Sequence, residues 1–322
     1  MDNKKSFFEV IYLMILYNDK SYTAKAPSVV ALGCFDGVHK GHRAVIERAI
    51  TQAKELELSS AVWTFSEPSK NFFTPGAIPL ITSKEEKCKL IEALGVDLVL
   101  CLDFDESIAK LSPKEFFNEI LVGRLSAAHI VCGFNYSFGS KGAGNTELLS
   151  KLCEEAGIGL TVLPAVLMEG IDVSSSLIRG FIESGELQSA EKYLGYPFSI
   201  TAEVIGGKRL ARKLGFPTVN ITPPAYAVIP KHGVYLTSVS FEGSDGELFG
   251  ITNIGMRPTV ESEVLCAETH IFDFDGDLYG KELRVNFLRF IRPERLFDSI
   301  EDLKSQVEQD IEIAKKIMLE IK

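Results

Sequence analysis

The sequence predicts a parallel α/β domain followed by an antiparallel β domain. In the first half, short β-rich runs alternate with helix-length amphipathic segments that often end in glycine, a pattern typical of βαβ units. After Pro197, strand-like runs follow one another with almost no helix between them. A chain of 322 residues is long enough for two domains with separate cores. We predict that they comprise residues 1–187 and 188–322.

The first half supplies the elements of a parallel sheet. Its initial run, "FFEVIYLMILY", contains Glu9 and is shorter than the ~20 apolar residues that span a bilayer, so we predict a strand and neither a signal nor a membrane segment. Parallel sheets bind ligands at the carboxyl ends of their strands, where residues 33–42 and 133–145 fall. The later predicted strands are "SVVALG", "SSAVWTF", "VDLVLCLDF", "AHIVCGF" and "IGLTVLP", separated by the helices "HRAVIERAITQAKEL", "SKEEKCKLIEALG", "SPKEFFNEILVGRL" and "NTELLSKLCEEAG".

The second half begins with two short helices over residues 174–195, broken at Gly185. The strands predicted after them are "FSITAEVIGG", "GVYLTSVSF", "ELFGITNIG", "AETHIFDF" and "KELRVNFLRFI". Turn signals at 245–246 and 275–276 separate some of these runs, which indicates an antiparallel barrel or sandwich.

A final amphipathic helix follows the strands and is predicted to close one end of the β domain. Ser299 and Asp302 are placed to cap its start. Its apolar face comprises Ile300, Leu303, Val307, Ile311, Ala314 and Met318.

The charge balance and the cysteines narrow the class of protein. A net charge of -10 disfavours binding to a polyanion, so we predict no nucleic-acid partner. Six cysteines without a C-x-x-C pair indicate reduced, structural thiols, and together with the lack of a membrane segment they favour a cytoplasmic location. Self-association into a homo-oligomer is compatible with the sequence.

The stretch "SVVALGCFDGVHKGH" has the composition of a phosphate-binding turn. Glycines at 33, 37 and 41 let the backbone approach a ligand where the first buried strand ends, and a helix beginning near His39 presents its free N–H groups there. His39 and His42 lie three residues apart and therefore on one face of that helix. The alternatives are histidines that cap or pack, and a metal pair completed by Asp36.

The motif "GCFDGVHKGH" resembles the G-x-F-D-G-x-H-x-G-H motif of bacterial bifunctional riboflavin kinase/FAD synthetases. "VCGFNYSFGSKGAGN" and "VSSSLIRGFIESGEL" are similar to that family's flavin loop and I-S-S-T-x-I-R segment, and they occur in the same order. The resemblance implies a Rossmann-like nucleotidyltransferase domain that converts FMN and ATP into FAD and pyrophosphate. It implies that Asn135 positions FMN, and that the ATP site consists of Gly33, Phe35, Asp36, Gly37, His39, Gly41, His42, Ser175, Ser176 and Arg179, with His39, His42 and Arg179 in catalytic roles.

One position departs from the family pattern. Where the family commonly has Pro-His-Pro, this chain has "TFSEPSKNFF", with Pro68 at the place of the histidine. Lys70 is a candidate to supply the missing phosphate contact. An alternative to the bifunctional enzyme is therefore a riboflavin kinase whose first domain is weak or inactive.

The segment "GGKRLARKLGFPTVNI" carries the chemistry of the second domain. Thr218 and Asn220 alternate on one face of an extended chain and both offer oxygen ligands to Mg²⁺, although a basic surface loop followed by a strand is the simpler interpretation. The glycines and basic residues before them, Gly206, Gly207, Lys208 and Arg212, are candidates to face a phosphate.

The same segment resembles the riboflavin kinase motif, whose Pro-Thr-x-Asn binds metal and nucleotide. "KHGVY", "NIGMRPT" and "ETHIFDFDGDLYGKELRVNFLRFIRPERLF" match later family segments in order, and Ala211 replaces a common glycine. The resemblance implies a closed β-barrel of the riboflavin kinase type, with Glu268 as the general base that accepts a proton from the ribityl hydroxyl. It implies Mg²⁺ as cofactor, ATP as co-substrate, and riboflavin, FMN and FAD as substrates and products. A non-catalytic flavin-binding regulator is a further alternative, which the presence of Thr218, Asn220 and Glu268 disfavours.

Overall fold

The computed structural model describes residues 14–17, 19, 21–206, 215–244, 246–258 and 263–321. Its contacts divide the chain into two compact units. The first unit comprises Met1–Ile78 and Thr82–Val173, and the second comprises Pro79–Ile81 and Ser174–Lys322. The domain boundary after residue 187 stays a prediction. No helix in the described ranges is long and apolar enough to cross a membrane.

A six-stranded parallel sheet forms the first unit, as predicted, in the order β1-β4-β3-β2-β5-β6. Its central strands are buried on both faces because helices cover both sides, which explains their uninterrupted apolar sequences. The strands are β1 (Met14–Tyr17), β2 (Ser28–Leu32), β3 (Ser59–Phe65), β4 (Leu98–Leu102), β5 (Ala127–Gly133) and β6 (Gly159–Leu163).

The helices of this unit follow the strands as predicted. The first of them buries Val45, Ile46, Ala49, Ile50 and Ala53 at the spacing of one helical face. Five of the six cysteines are buried, in agreement with a packing role. The helices are α1 (Lys40–Leu56), α2 (Ser69–Phe73), α3 (Lys84–Glu92), α4 (Glu106–Ala109), α5 (Pro113–Glu115) and α6 (Thr146–Ala156), and a 3-10 turn covers Ser140–Gly142.

One predicted helix differs in type. The segment "SPKEFFNEILVGRL" begins as α5, with a capping box between Ser112 and Glu115, and continues as a π-helix over Phe116–Arg124. The buried residues Phe116, Phe117, Ile120 and Leu121 recur at a spacing that suits an α-helix equally well. The apolar pattern therefore predicted the helix but not its wider turns.

The second unit is built on a closed antiparallel barrel in the order β10-β13-β12-β11-β14-β9, so the barrel is confirmed over the sandwich. Inside it, the hydroxyl groups of Thr237, Thr252 and Thr269 form a chain with O to O distances of 2.8 Å at both steps. The strands are β9 (Ser199–Ile205), β10 (Val219–Ile221), β11 (Gly233–Phe241), β12 (Leu248–Pro258), β13 (Glu263–Ile271) and β14 (Glu282–Arg292). A small hairpin of β7 (Leu167–Met168) and β8 (Ile171–Asp172) belongs to the first unit.

Helices flank the barrel in sequence. The two short helices predicted before it are α7 (Ser175–Ser184) and α8 (Leu187–Leu194), separated at Gly185, whose φ is +83°. The predicted turn signal at 275–276 lies within a loop between β13 and β14, and residue 245 lies outside the described residues.

The C-terminal helix α9 (Ile300–Ile321) packs its apolar face against β11, β12 and β14. As predicted, Ser299 caps its start, accepting a hydrogen bond from Asp302 N at 3.1 Å. Ile300, which lies on the same predicted face, is 54% exposed. Asp310 is 1% exposed and binds Arg292 of β14 through three hydrogen bonds of 2.7 to 3.0 Å.

Candidate functional sites

The turn after β2 has an unusual backbone. Phe35, Gly37 and Val38 all have positive φ, at 54°, 79° and 35°. Such values are uncommon for residues other than glycine and rare for a β-branched residue, so the surrounding structure must hold the turn. Thr82 does so in part. Its N–H and hydroxyl groups donate to the buried Asp36 carboxylate, and its Oγ1 accepts from Gly37 N at 3.1 Å.

The two histidines meet at the start of α1. His39 is the N-cap, and its Nδ1 accepts a hydrogen bond from His42 N at 3.2 Å, so a neutral His39 carries its proton on Nε2. The rings of His39 and His42 stack with centroids 3.5 Å apart, and the edge of Phe35 meets His42. The structure thus brings together two imidazoles at the N-terminus of a helix, where the helix dipole favours an anion.

Two glycines of the motif are needed for close packing. A Cβ on Gly33 would lie 2.7 Å from the Phe35 ring. A Cβ on Gly41 would lie 3.1 Å from His39 Cε1 and 3.4 Å from the carbonyl oxygen of Val173. Side chains at these positions would therefore displace the aromatic rings that line the turn.

For the adenylyl transfer that the motif's resemblance implies, we expect Gly41→Ala to reduce the rate by about tenfold to 10²-fold, because small displacements of aligned groups carry large rate penalties. Synthesis of FAD from supplied FMN and ATP measures this effect. Gly180→Ala serves as a control, since no atom lies within 4 Å of a Cβ built there. Unchanged synthesis in Gly41→Ala would show that the His39 ring position is not critical.

Turns after the neighbouring strands carry the other predicted residues of the first unit. Asn135 is exposed in the turn after β5, which pairs with β2, so the two turns occupy the same edge of the sheet. Pro68 begins α2 after β3, and Lys70 is exposed on that helix. The contact of Lys70 with phosphate stays a prediction. Lys87 of α3, which the sequence analysis did not single out, is buried beneath the turns after β2 and β3.

Three predicted residues of the ATP site lie on α7, in the second unit. Ser175 and Ser176 occupy its first turn, at the end of the helix where the dipole favours an anion, and Ser174 caps it by accepting from Leu177 N. Arg179 donates from Nε to the carbonyl oxygen of Pro79 at 2.6 Å. Their roles stay predictions.

A row of polar side chains crosses the outer face of the barrel. Asn220 on β10 pairs directly with Glu268 on β13, and Glu268 pairs directly with Asn253 on β12. Directly paired residues project to the same face of a sheet, so the three side chains are neighbours. Asn253 in turn donates to Glu294 at 3.0 Å. The structure therefore brings together two residues that the sequence analysis proposed separately, Asn220 and Glu268.

Arg257 connects this row and was not anticipated as a site residue. Its guanidinium forms an ion pair with Glu268 and donates to Asn220 Oδ1 at 3.2 Å. Burial lowers the pKa of Arg257 below its ordinary value. A guanidinium nevertheless keeps its positive charge in proteins. Arg257 stands in the motif "NIGMRPT", so its presence in a matched segment was the only available signal.

Thr218 lies beside a cavity rather than in a strand. It precedes β10 and lines a cavity of ≈ 450 Å³ together with Asp275, Asp277 and Tyr279. A cavity of this volume accommodates a small-molecule ligand. Gly206 is exposed at the end of β9, whereas Gly207, Lys208, Ala211 and Arg212 lie outside the described residues.

Two family models match the chain in succession. The FAD synthetase model covers residues 21–177, and the riboflavin kinase model covers residues 194–318. The crystal structure of a macrolide-efflux protein from Streptococcus pneumoniae is similar to this one, with a TM-score of 0.85 and 31% sequence identity, and the match covers 94% of this chain and 98% of that chain.

Curated relatives match over nearly their full length. The bifunctional riboflavin kinase/FMN adenylyltransferase of Pseudomonas fluorescens is 36% identical over 290 residues, which are 90% of this chain and 92% of the relative. The protein of the same name from Bacillus subtilis is 35% identical over 292 residues, covering 89% and 91%. Both domains are present in order, and the chain therefore belongs to the family of bifunctional riboflavin kinase/FMN adenylyltransferases, transferases of flavin cofactor biosynthesis.

Proposed function

We propose that the two reactions of this enzyme use separate sites, riboflavin phosphorylation at the row Asn220, Glu268 and Asn253, and adenylyl transfer at the turn after β2. The observation that carries the first assignment is the strand register, which sets Glu268 directly between two asparagines. The stacked histidines at the start of α1 support the second assignment.

In the kinase reaction, Glu268 acts as general base. The terminal ribityl oxygen of riboflavin forms a bond to the γ-phosphorus of ATP, the bond from that phosphorus to ADP breaks, and the hydroxyl proton passes to the Glu268 carboxylate. Arg257 forms an ion pair with the Glu268 carboxylate and so supplies a positive charge beside the base. Asn220 and Asn253 occupy the directly paired positions on either side of Glu268.

Mg²⁺ fits the residues around Thr218 and Asn220. The described residues contain no cluster of three or more His, Cys, Asp or Glu side chains that would hold a metal ion alone. Mg²⁺ commonly binds through one or two protein oxygens together with substrate phosphates, and a hydroxyl and an amide oxygen provide such ligands. The bound ion would neutralise phosphate charge. Asn220 Oδ1 accepts from Arg257, so coordination would replace that hydrogen bond.

Adenylyl transfer needs alignment and charge neutralisation rather than a protein nucleophile. An FMN phosphate oxygen bonds to the α-phosphorus of ATP, and the bond from that phosphorus to pyrophosphate breaks. His39 and His42 donate to the phosphates, and the N-terminus of α1 contributes backbone N–H groups and the positive end of its dipole. The glycines at 33, 37 and 41 allow the phosphates to approach the backbone.

A pair of variants tests whether the two sites are separate. Asn220→Ala should reduce riboflavin phosphorylation by about 10²-fold while FAD synthesis from supplied FMN is unchanged, and His42→Ala should do the reverse. Chromatographic separation of riboflavin, FMN and FAD measures both reactions. Asn286→Ala is a matched control, since Asn286 is equally buried at 5% exposure on β14. Loss of both reactions in either variant would contradict separate sites.

The same assay addresses the alternative suggested by Pro68. A kinase with a weak first domain would accumulate FMN from riboflavin and ATP, and His42→Ala would not change its product ratio. We propose that the wild-type enzyme instead proceeds to FAD.

The substrates are small molecules, and we propose that the protein acts in the cytoplasm without nucleic acid. The net charge of -10 supports the second part of this proposal, because it opposes binding to a polyanion. We also propose that the protein can assemble into a homo-oligomer.

A further inference from the structure

Lys87 is the most deeply buried cation that the structure describes. It lies on α3 with 1% exposure, and no other lysine or arginine of the described residues is buried to a comparable degree. Burying an ammonium group without a partner is costly, so its surroundings must provide acceptors. Lys87 therefore occupies an interior position that an ordinary surface lysine would avoid.

The acceptors of Lys87 are backbone carbonyls at the ends of two strands. Nζ donates to the carbonyl oxygens of Cys34 at 3.3 Å and Ser66 at 3.1 Å, and also to that of Phe65. These three bonds use all three N–H groups of the ammonium. No carboxylate within the described part of the chain forms an ion pair with Lys87, so the acceptors of its three hydrogen bonds are all neutral carbonyls.

Both turns that Lys87 joins belong to the edge where nucleotide is proposed to bind. Cys34 begins the turn with positive φ at Phe35, Gly37 and Val38, and Ser66 begins the turn that contains Pro68. Thr82, five residues earlier in the chain, holds the same turn through Asp36 and Gly37. Residues of one short segment, 82–87, thus form hydrogen bonds to the strained turn after β2, which leads directly to His39 and His42.

We propose that Lys87 is a positioning residue for adenylyl transfer, which holds the turns after β2 and β3 in place and adds positive charge at the edge of the sheet where ATP binds. The proposal rests on the assignment of ATP to the turn after β2. A buried cation whose direct partners are neutral carbonyls stabilises an incoming polyphosphate, because the interior screens the charge less than water does. The effect should therefore fall on ATP more than on FMN.

The test is the kinetics of Lys87→Met and Lys87→Gln in the full chain. We expect kcat/KM for ATP in FAD synthesis to fall by about 10²-fold for Lys87→Met and by less for Lys87→Gln, which keeps a donor. The KM for ATP should rise several-fold more than the KM for FMN. Lys89→Met, an exposed lysine on the same helix, should match the wild type.

Two internal reporters show whether each variant is folded. Trp63 is the single tryptophan and is 1% exposed in β3, so its fluorescence reports on the first unit. Riboflavin phosphorylation reports on the second. If the Trp63 emission of Lys87→Met shows that the first unit is unfolded, the kinetic constants of Lys87→Gln are used to test the proposal instead.

Two results would overturn the proposal. One is a folded variant with the wild-type kcat/KM and KM for ATP, and the other is an equal increase in the KM values of ATP and FMN. His42→Ala separates this failure from that of the proposed site. If His42→Ala abolishes FAD synthesis while Lys87 variants are normal, only the role of Lys87 is wrong. If His42→Ala is also normal, ATP does not bind at the turn after β2.

Discussion

Glu268→Gln should abolish riboflavin phosphorylation, with a loss of about 10²-fold to 10⁴-fold, while FAD synthesis from supplied FMN is unchanged. Glutamine keeps the length of the side chain and an amide oxygen, but it does not accept a proton from the substrate hydroxyl at neutral pH. The change therefore removes the base without removing the row of side chains around it. Conversion of riboflavin to FMN under saturating ATP measures the effect.

A matched control is Glu282→Gln, which changes an exposed glutamate at the start of β14. It should leave both reactions unchanged. Phosphorylation within a few fold of wild type in Glu268→Gln would contradict the general-base role. Equal loss of phosphorylation and FAD synthesis would instead indicate that Glu268 supports the fold of the whole chain.

Asp310→Ala should destabilise the second unit by about 3–5 kcal/mol, because it leaves the guanidinium of Arg292 partly buried without its carboxylate. Asp310 is 1% exposed, accepts three hydrogen bonds from Arg292 and another from Gln306 Nε2 at 2.9 Å. These bonds fasten α9 to β14. Riboflavin kinase activity after exposure to increasing urea measures the loss, and Trp63 fluorescence follows the first unit in the same samples.

Glu308→Ala is the control for this change, since Glu308 is exposed on α9 and its pair with Lys304 spans 4.0 Å. Such surface pairs contribute about 0 to 1 kcal/mol. Replacing both partners, as in Asp310→Leu with Arg292→Met, should recover much of the stability because no charge is then buried alone. A midpoint for Asp310→Ala equal to that of Glu308→Ala would contradict the prediction.

The sequence predicted the parallel sheet and the turn after β2 because their determinants are local. Glycines at 33, 37 and 41, a buried strand before them and an amphipathic helix after them lie within one short segment. The barrel followed from successive strand-like runs, but its closure by β9 and β10 depends on pairing between distant strands. The neighbours Asn220 and Glu268 could be proposed separately, whereas their direct pairing required the register.

Lys87 and Asp310 were missed for a shared physical reason. Each lies in a helix rich in charged residues, and the usual expectation is that such side chains face solvent. Their positions contain the missing signal: Lys87 precedes the buried Ile91 by four residues, and Asp310 precedes the buried Ala314 by four. A charge on the apolar stripe of a helix predicts a buried partner, but not which partner.

The closed barrel also determines how copies of this chain, or other chains, can join through their backbones. In a closed barrel every strand has two neighbours, so an added strand would have to displace an existing one. Within the described residues, the parallel sheet of the first unit is open and ends at β1 and β6. Another chain can therefore add a strand to the sheet of the first unit by backbone hydrogen bonds. An association through the barrel strands must instead be made by side chains.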